Sequence, residues 1–175
     1  MKYMFSFAAI CALLCLSTVT RAQDDTDKSK RPSPPASATK TIGDLTIKID
    51  YSQPSLKGRV IGKDVEPMPG EVWRTGANEA TTFEVSRDVK INGKDLPKGK
   101  YALFSILNGK EWTIIFNKTW NQWGAYKYKE SDDALRVKVY NSQLNTPAEK
   151  LAFDIDDKGT VSLMWGDKRF ILDVK

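Results

Sequence analysis

The segment Glu71-Val72-Trp73-Arg74-Thr75-Gly76-Ala77-Asn78-Glu79-Ala80-Thr81-Thr82 concentrates the chain's most varied chemistry: a guanidinium, an amide and a carboxylate on either side of a glycine. It starts like a strand, breaks at Gly76 and resumes around Thr81 to Val85, so Arg74, Asn78 and Glu79 flank a bend. Arginine presents a planar donor fork for carboxylate, phosphate or sugar hydroxyls, and asparagine both donates and accepts. The alternative is internal: Trp73 fills the core and Arg74 braces Glu79 or Asp133 as an ion pair. A second segment, Asn117-Lys118-Thr119-Trp120-Asn121-Gln122-Trp123-Gly124-Ala125-Tyr126-Lys127-Tyr128, places four aromatics within nine positions, with amides among them. Exposed rings interleaved with amides suit a sugar-binding surface, where apolar ring contact is combined with directional hydrogen bonds. If buried, the same tryptophans would plug one end of the fold.

Together with Arg59 and Arg136, these segments nominate Arg59, Trp73, Arg74, Asn78, Glu79, Asn117, Trp123, Tyr126 and Arg136 as binding residues for a small polar or anionic ligand such as a glycan fragment. Two other functions compete. A glycoside-cleaving pair would join Glu79 to Glu71, Asp132 or Asp133, and needs two carboxylates roughly 5 to 9.5 Å apart across an open cleft. A cell-envelope protein module would use the aromatic segment as a docking surface and the arginines as internal braces. Asp132 and Asp133 are adjacent, and adjacent residues of a strand point to opposite faces, so one of them is better placed to pair with an arginine. Asp154-Ile155-Asp156-Asp157-Lys158-Gly159 superficially resembles a calcium loop. A lysine stands where an oxygen ligand is needed, and no glutamate closes the site, so it reads as a hairpin turn.

The absences narrow the chemistry further. The chain has no histidine, which removes imidazole bases, His-containing triads and the commonest zinc and copper ligand. Both cysteines, Cys11 and Cys15, fall in an apolar leader. Its removal would leave neither thiol nor imidazole, so no disulfide, metal site or cofactor is expected. Taking Lys2 and Arg21 away from the 27 basic residues leaves 25 against 22 acidic ones, a mild +3. The lysines are scattered, often beside an acid, which does not make a nucleic-acid stripe.

The elements that must position these groups are strands. Lys2, the apolar run Phe5 to Leu16 and the close at Thr20-Arg21-Ala22 read as a signal peptide over 1–22. The run is too short for a membrane anchor, so the expected product is exported, periplasmic or extracellular. Residues 23–40, with Arg31-Pro32-Ser33-Pro34-Pro35 at their centre, read as a disordered Pro/Ser-rich linker, although the more C-terminal portion could lie against the domain. Residues 41–175 form one domain. Leu45, Ile47 and Ile49 alternate with Thr46, Lys48 and Asp50, and Val137 and Val139 alternate with Arg136, Lys138 and Tyr140. Asn92-Gly93, Asn108-Gly109, Lys158-Gly159 and Gly166-Asp167-Lys168 fall between such runs as hairpin turns. No stretch carries a long apolar helical stripe, so the fold is all-β: an antiparallel, jelly-roll-like sandwich, with a partly closed barrel as the alternative.

The order of motifs resembles a known family. Ser33-Pro34 with Ile42-Gly43, then Tyr51-Ser52-Gln53-Pro54, Gly58-Arg59-Val60-Ile61-Gly62, Trp73-Arg74-Thr75-Gly76-Ala77-Asn78-Glu79, Leu96-Pro97-Lys98-Gly99-Lys100-Tyr101, Trp112-Thr113, and Trp123 through Arg136 are similar to exported bacterial proteins catalogued as domain of unknown function 2911. The W-R-x-G-A-N-E motif is the most distinctive element. The resemblance implies an exported β-rich domain found chiefly in Gram-negative bacteria, with no established activity and no catalytic residues to transfer. Where the family commonly has Pro, an aromatic and Gly before that motif, this chain has Pro67-Met68-Pro69-Gly70. A ligand site lined by that aromatic would be altered here.

Overall fold

Period-two patterning becomes eleven antiparallel strands in the computed structural model, which describes residues 27–175. The leader over 1–22 and residues 23–26 lie outside the described residues. The strands are β1 (Pro35–Ile42), β2 (Leu45–Ser52), β3 (Thr82–Val85), β4 (Val89–Ile91), β5 (Lys94–Leu96), β6 (Gly99–Asn108), β7 (Glu111–Asn117), β8 (Asp133–Tyr140), β9 (Ala148–Ile155), β10 (Thr160–Gly166) and β11 (Lys168–Asp173). They make a six-stranded sheet in the order β1-β2-β3-β6-β7-β8, a three-stranded sheet β11-β10-β9, and the small hairpin β4-β5. No sheet closes on itself, so the architecture is sandwich-like and the barrel alternative is not adopted.

Each anticipated turn joins two neighbouring strands. At Asn92-Gly93 both residues have positive φ, 47° and 81°, the backbone of a two-residue hairpin whose twist matches its strands. Between the two larger sheets, Ile47, Ile49, Phe83, Leu103, Trp112, Ile114 and Phe116 meet Leu151, Val161, Leu163, Trp165, Phe170 and Leu172, all fully or nearly fully buried. Aromatic pairs stitch the layers: Tyr51 on Phe153 at 5.0 Å and Trp112 on Phe170 at 5.5 Å, both edge to face.

The segment expected as a linker differs in its second half. Pro35 to Lys40 belong to β1, paired along its whole length with β2, from Pro35 opposite Ser52 to Ile42 opposite Leu45. Ala36 and Ala38 supply small apolar contacts to the core where the composition is otherwise polar. An edge strand needs only one modest inward face, which is why it reads as linker from composition.

The outer face of the six-stranded sheet positions the chemistry. Register puts Lys48 opposite Glu84 and Glu84 opposite Lys100, and Asp50 opposite Thr82 on the same face. Farther along, that face turns apolar at Ala102, Phe104 and Ile115. A second small core forms there, where Ala80, Val72, Ala125 and Tyr128 cover it from the two irregular segments singled out above.

Candidate functional site

The bend after Trp73 is held from inside. Trp73 is buried, pairs with Ser105 of β6, and its Nε1–H donates to Gly76 O at 3.0 Å. Thr75 has φ 54°, unusual for a β-branched residue. Its hydroxyl lies 2.9 Å from the Ser105 hydroxyl, and its carbonyl accepts from Thr81 Oγ1 at 2.9 Å. Gly76 has no room for a side chain: a Cβ would stand 2.7 Å from Thr81 Oγ1 and 3.2 Å from Ser52 O. The chain turns again at Asn78, φ 55°, and delivers Glu79 to the surface.

The two irregular segments meet. Glu79 bridges to Trp123, Gly124 N–H donates to Asn78 O at 3.0 Å, and Ala80 N–H donates to Gln122 O at 3.0 Å. Between this junction and the outer faces of β2, β3 and β6 lies a cleft of about 250 Å³, with Lys28, Asp50, Glu79, Lys100, Trp120 and Gln122 among its walls. Trp120 and Trp123 are 41% and 51% exposed, and each carries a cation on a ring face: Lys100 Nζ lies 4.8 Å from Trp120, and the Arg31 guanidinium 5.7 Å from Trp123. Gln122 is buried, its Nε2 donating to Thr119 O, while its Oε1 has no donor among the described residues.

Both carboxylates of the cleft are held ionised. Burial pushes Glu79 up, but hydrogen bonds from Lys28 and Arg31 and from its own backbone outweigh this and bring its pKa down to about 2. Lys28 Nζ stands 2.8 Å from Oε1, and Arg31 Nη1 lies 3.0 and 3.1 Å from the two oxygens. Burial likewise opposes ionisation of Asp50, and the hydrogen bonds from Lys48 and Ser37 again prevail, lowering its pKa. The lysines of the walls are themselves engaged, Lys28 by Glu79 and Lys100 by Glu84 at 3.7 Å, while Arg31 and Lys48 pair with Glu79 and Asp50 from the edge.

Of the nominated residues, Glu79 and Trp123 stand at this cleft's junction, and Asn78 frames it, its Nδ2 donating to Ser33 O at 2.9 Å. Tyr126 is 86% exposed on the adjoining turn. Trp73 lies inside the core. Arg74 pairs with neither Glu79 nor Asp133, whose partners are Lys28 and Arg31 in one case and Arg136 in the other. Its Nε is buried with no acceptor among the described residues.

Arg59 turns back on its own loop, donating to Ser55 O and Leu56 O, and lines a separate depression with Ile61, Gly166 and Lys168. Asn117 and Arg136 are braces. Asn117 is fully buried, donating to Lys129 O and Asp133 Oδ1 and accepting from Thr119 N–H. Arg136 grips Asp133 Oδ2 at 2.6 Å, donates to Tyr128 Oη at 2.5 Å and pairs with Glu130. Tyr128 donates to Asp133, and burial together with that carboxylate pushes its pKa up to about 12.

Sequence reasoning missed Lys28, Arg31, Asp50 and Lys100. The last two are outward positions of strands whose period was legible, so the face, though not the clustering, could have been found. Lys28 and Arg31 carry no local signal beyond charge.

A family model described as Protein of unknown function (DUF2911) matches residues 33–174. No curated protein and no solved structure matches the chain.

Proposed function

The chain belongs to the DUF2911 family of proteins of unknown function, and from that premise and the chemistry of the cleft we propose a non-catalytic module, exported after loss of residues 1–22, that holds a neutral glycan fragment. The observation that carries this reading is the exposed Trp120 ring beside carboxylates kept ionised by their own cations. A sugar offers an apolar ring face to the indole, and its hydroxyls donate to carboxylates that accept at fixed positions. The wall lysines are already engaged by carboxylates, Lys28 by Glu79 and Lys100 by Glu84, which favours an uncharged ligand over an anion that would have to displace those partners.

The hydrolase reading finds less support. A general acid needs a carboxyl whose pKa is raised toward the working pH. Glu79 and Asp50 are both lowered, and Asp133 is engaged by Arg136, Asn117 and Tyr128. One observation favours the envelope-docking alternative: Trp123 at the junction and Tyr126 on the turn after it are both exposed, and exposed aromatics suit a protein hot spot.

Melting the mature chain against neutral oligosaccharides, sugar phosphates and organic acids tests the proposal. A rise with a neutral oligosaccharide that Trp120→Ala removes supports it. A flat panel, with capture of envelope proteins lost in Trp123→Ala, turns the reading to docking.

A further inference from the structure

Residues 28–34 lie along the Glu79–Trp123 junction in the way a bound peptide would. Arg31 places one nitrogen on both oxygens of Glu79 and its guanidinium over Trp123, and its side chain is only 14% exposed. Lys28 adds a second cation to the same carboxylate at the rim. The backbone is read as well: Asn78 Nδ2 donates to Ser33 O at 2.9 Å, and Gln53 N–H donates to Pro34 O at 2.8 Å. We propose that this junction is a binding site for arginine-bearing basic peptide segments, and that Lys28 to Pro34 of the chain itself is its resident occupant.

Three features support a site rather than an incidental ion pair. The walls are built by contacts that do not involve the occupant: the Glu79–Trp123 bridge and the bonds from Gly124 to Asn78 and from Ala80 to Gln122. The contacts combine a paired carboxylate, an aromatic face, a side-chain amide and a main-chain N–H, which recognise both the arginine and the peptide backbone that follows it. The occupant is pre-stiffened by Pro32, Pro34 and Pro35, which lowers the entropy lost on docking. Upstream of Pro34, whose carbonyl accepts from Gln53 N–H next to the Pro35–Ser52 pair, no strand ladder retains the segment. Its exchange for a basic segment of another chain would therefore leave the sheet intact, while removing Lys28 from the cleft wall.

The test uses the full chain carrying Lys28→Ala and Arg31→Ala, titrated with a synthetic peptide of residues 27–35 and followed by the Trp123 indole N–H resonance. A saturable shift is expected, at least tenfold weaker in apparent affinity when the peptide's arginine is replaced by alanine, and weakened as much when the protein also carries Glu79→Gln. A variant that melts cooperatively yet gives no saturable shift, or that binds the arginine-free peptide equally well, overturns the proposal. If the double variant does not fold, Arg31→Lys, which keeps the charge but loses the planar fork, is titrated with the same two outcomes. The glycan reading is judged separately, by a melting shift that depends on Trp120, so either idea can fail alone.

Discussion

Gly76 and Glu79 show how much of the site rests on single residues. Gly76 is required because the backbone of Ser52 and the hydroxyl of Thr81 approach too closely for any side chain. Gly76→Ala should destabilise the fold by about 1 to 3 kcal/mol, the usual cost of forcing an atom into packed structure. Urea unfolding would measure it, and an unchanged midpoint would contradict the close approach. Glu79 couples the site to pH. Its carboxyl titrates near 4.5 when unfolded and near 2 when folded, so its contribution is complete above about pH 4.5 and is lost as the pH falls toward 2. The side chain is 38% exposed, and solvent screening reduces the contribution to about 1 kcal/mol. Glu79→Gln should flatten the dependence of melting temperature on pH between 4.5 and 2 relative to wild type, leaving a residual slope from Asp50 and other lowered carboxyls. Curves that stay parallel through that window would show that Lys28 and Arg31 do not hold the carboxylate in solution.

Among the elements, the β7–β8 connection depends most on one side chain. Residues 118–132 carry Trp120, Gln122 and Trp123 but little regular structure, and Asn117 ties both ends of the connection together through Thr119, Lys129 and Asp133. Asn117→Ala removes three part-buried hydrogen bonds from a fully buried side chain and should cost about 1 to 3 kcal/mol. Amide hydrogen exchange over 118–132 should accelerate more than in β6 or β7. Uniform acceleration across both would place Asn117 in the general core instead. The same logic separates Trp73 from the site it adjoins. Trp73→Ala should cost about 3 to 5 kcal/mol, as removal of a core aromatic does. Calorimetry would check this, and a loss much under that range would show that the bend is not anchored by the indole. Strand β1 teaches a related lesson about composition: its half-buried face runs Ala36, Ala38, Lys40 and Ile42 against an exposed face of Pro35, Ser37, Thr39 and Thr41, so only pairing with β2 distinguishes it from a linker.

For the molecule as a whole, the cleft exists because two irregular segments cross the outer face of one sheet and leave part of it uncovered. A neutral oligosaccharide present at about 100 times its Kd should stabilise a chain of residues 23–175 by about 2.7 kcal/mol, a rise of several degrees. Sugar phosphates of the same size should give less, since Lys28 and Lys100 are already engaged by Glu79 and Glu84, and the reverse order would assign the cleft to anions. The all-β class, the hairpin turns and the bend at Gly76 were legible in the chain because each depends on neighbours within a few residues: side-chain period, positive-φ turn residues and the strand-breaking glycine. The resemblance carried by Trp73 to Glu79 was legible for the same reason. The partners of Glu79 were not. Arg74 stands five positions away with the right charge, yet the carboxylate meets Lys28 and Arg31, 51 and 48 residues distant. Local order decides what a strand is, but which strands lie side by side, and which distant cation reaches a given carboxylate, follows from how the sheet buries its inner face. That balance is a property of the whole core, so only the tertiary structure joined Asp50, Glu79, Lys100 and Trp120 around one cleft.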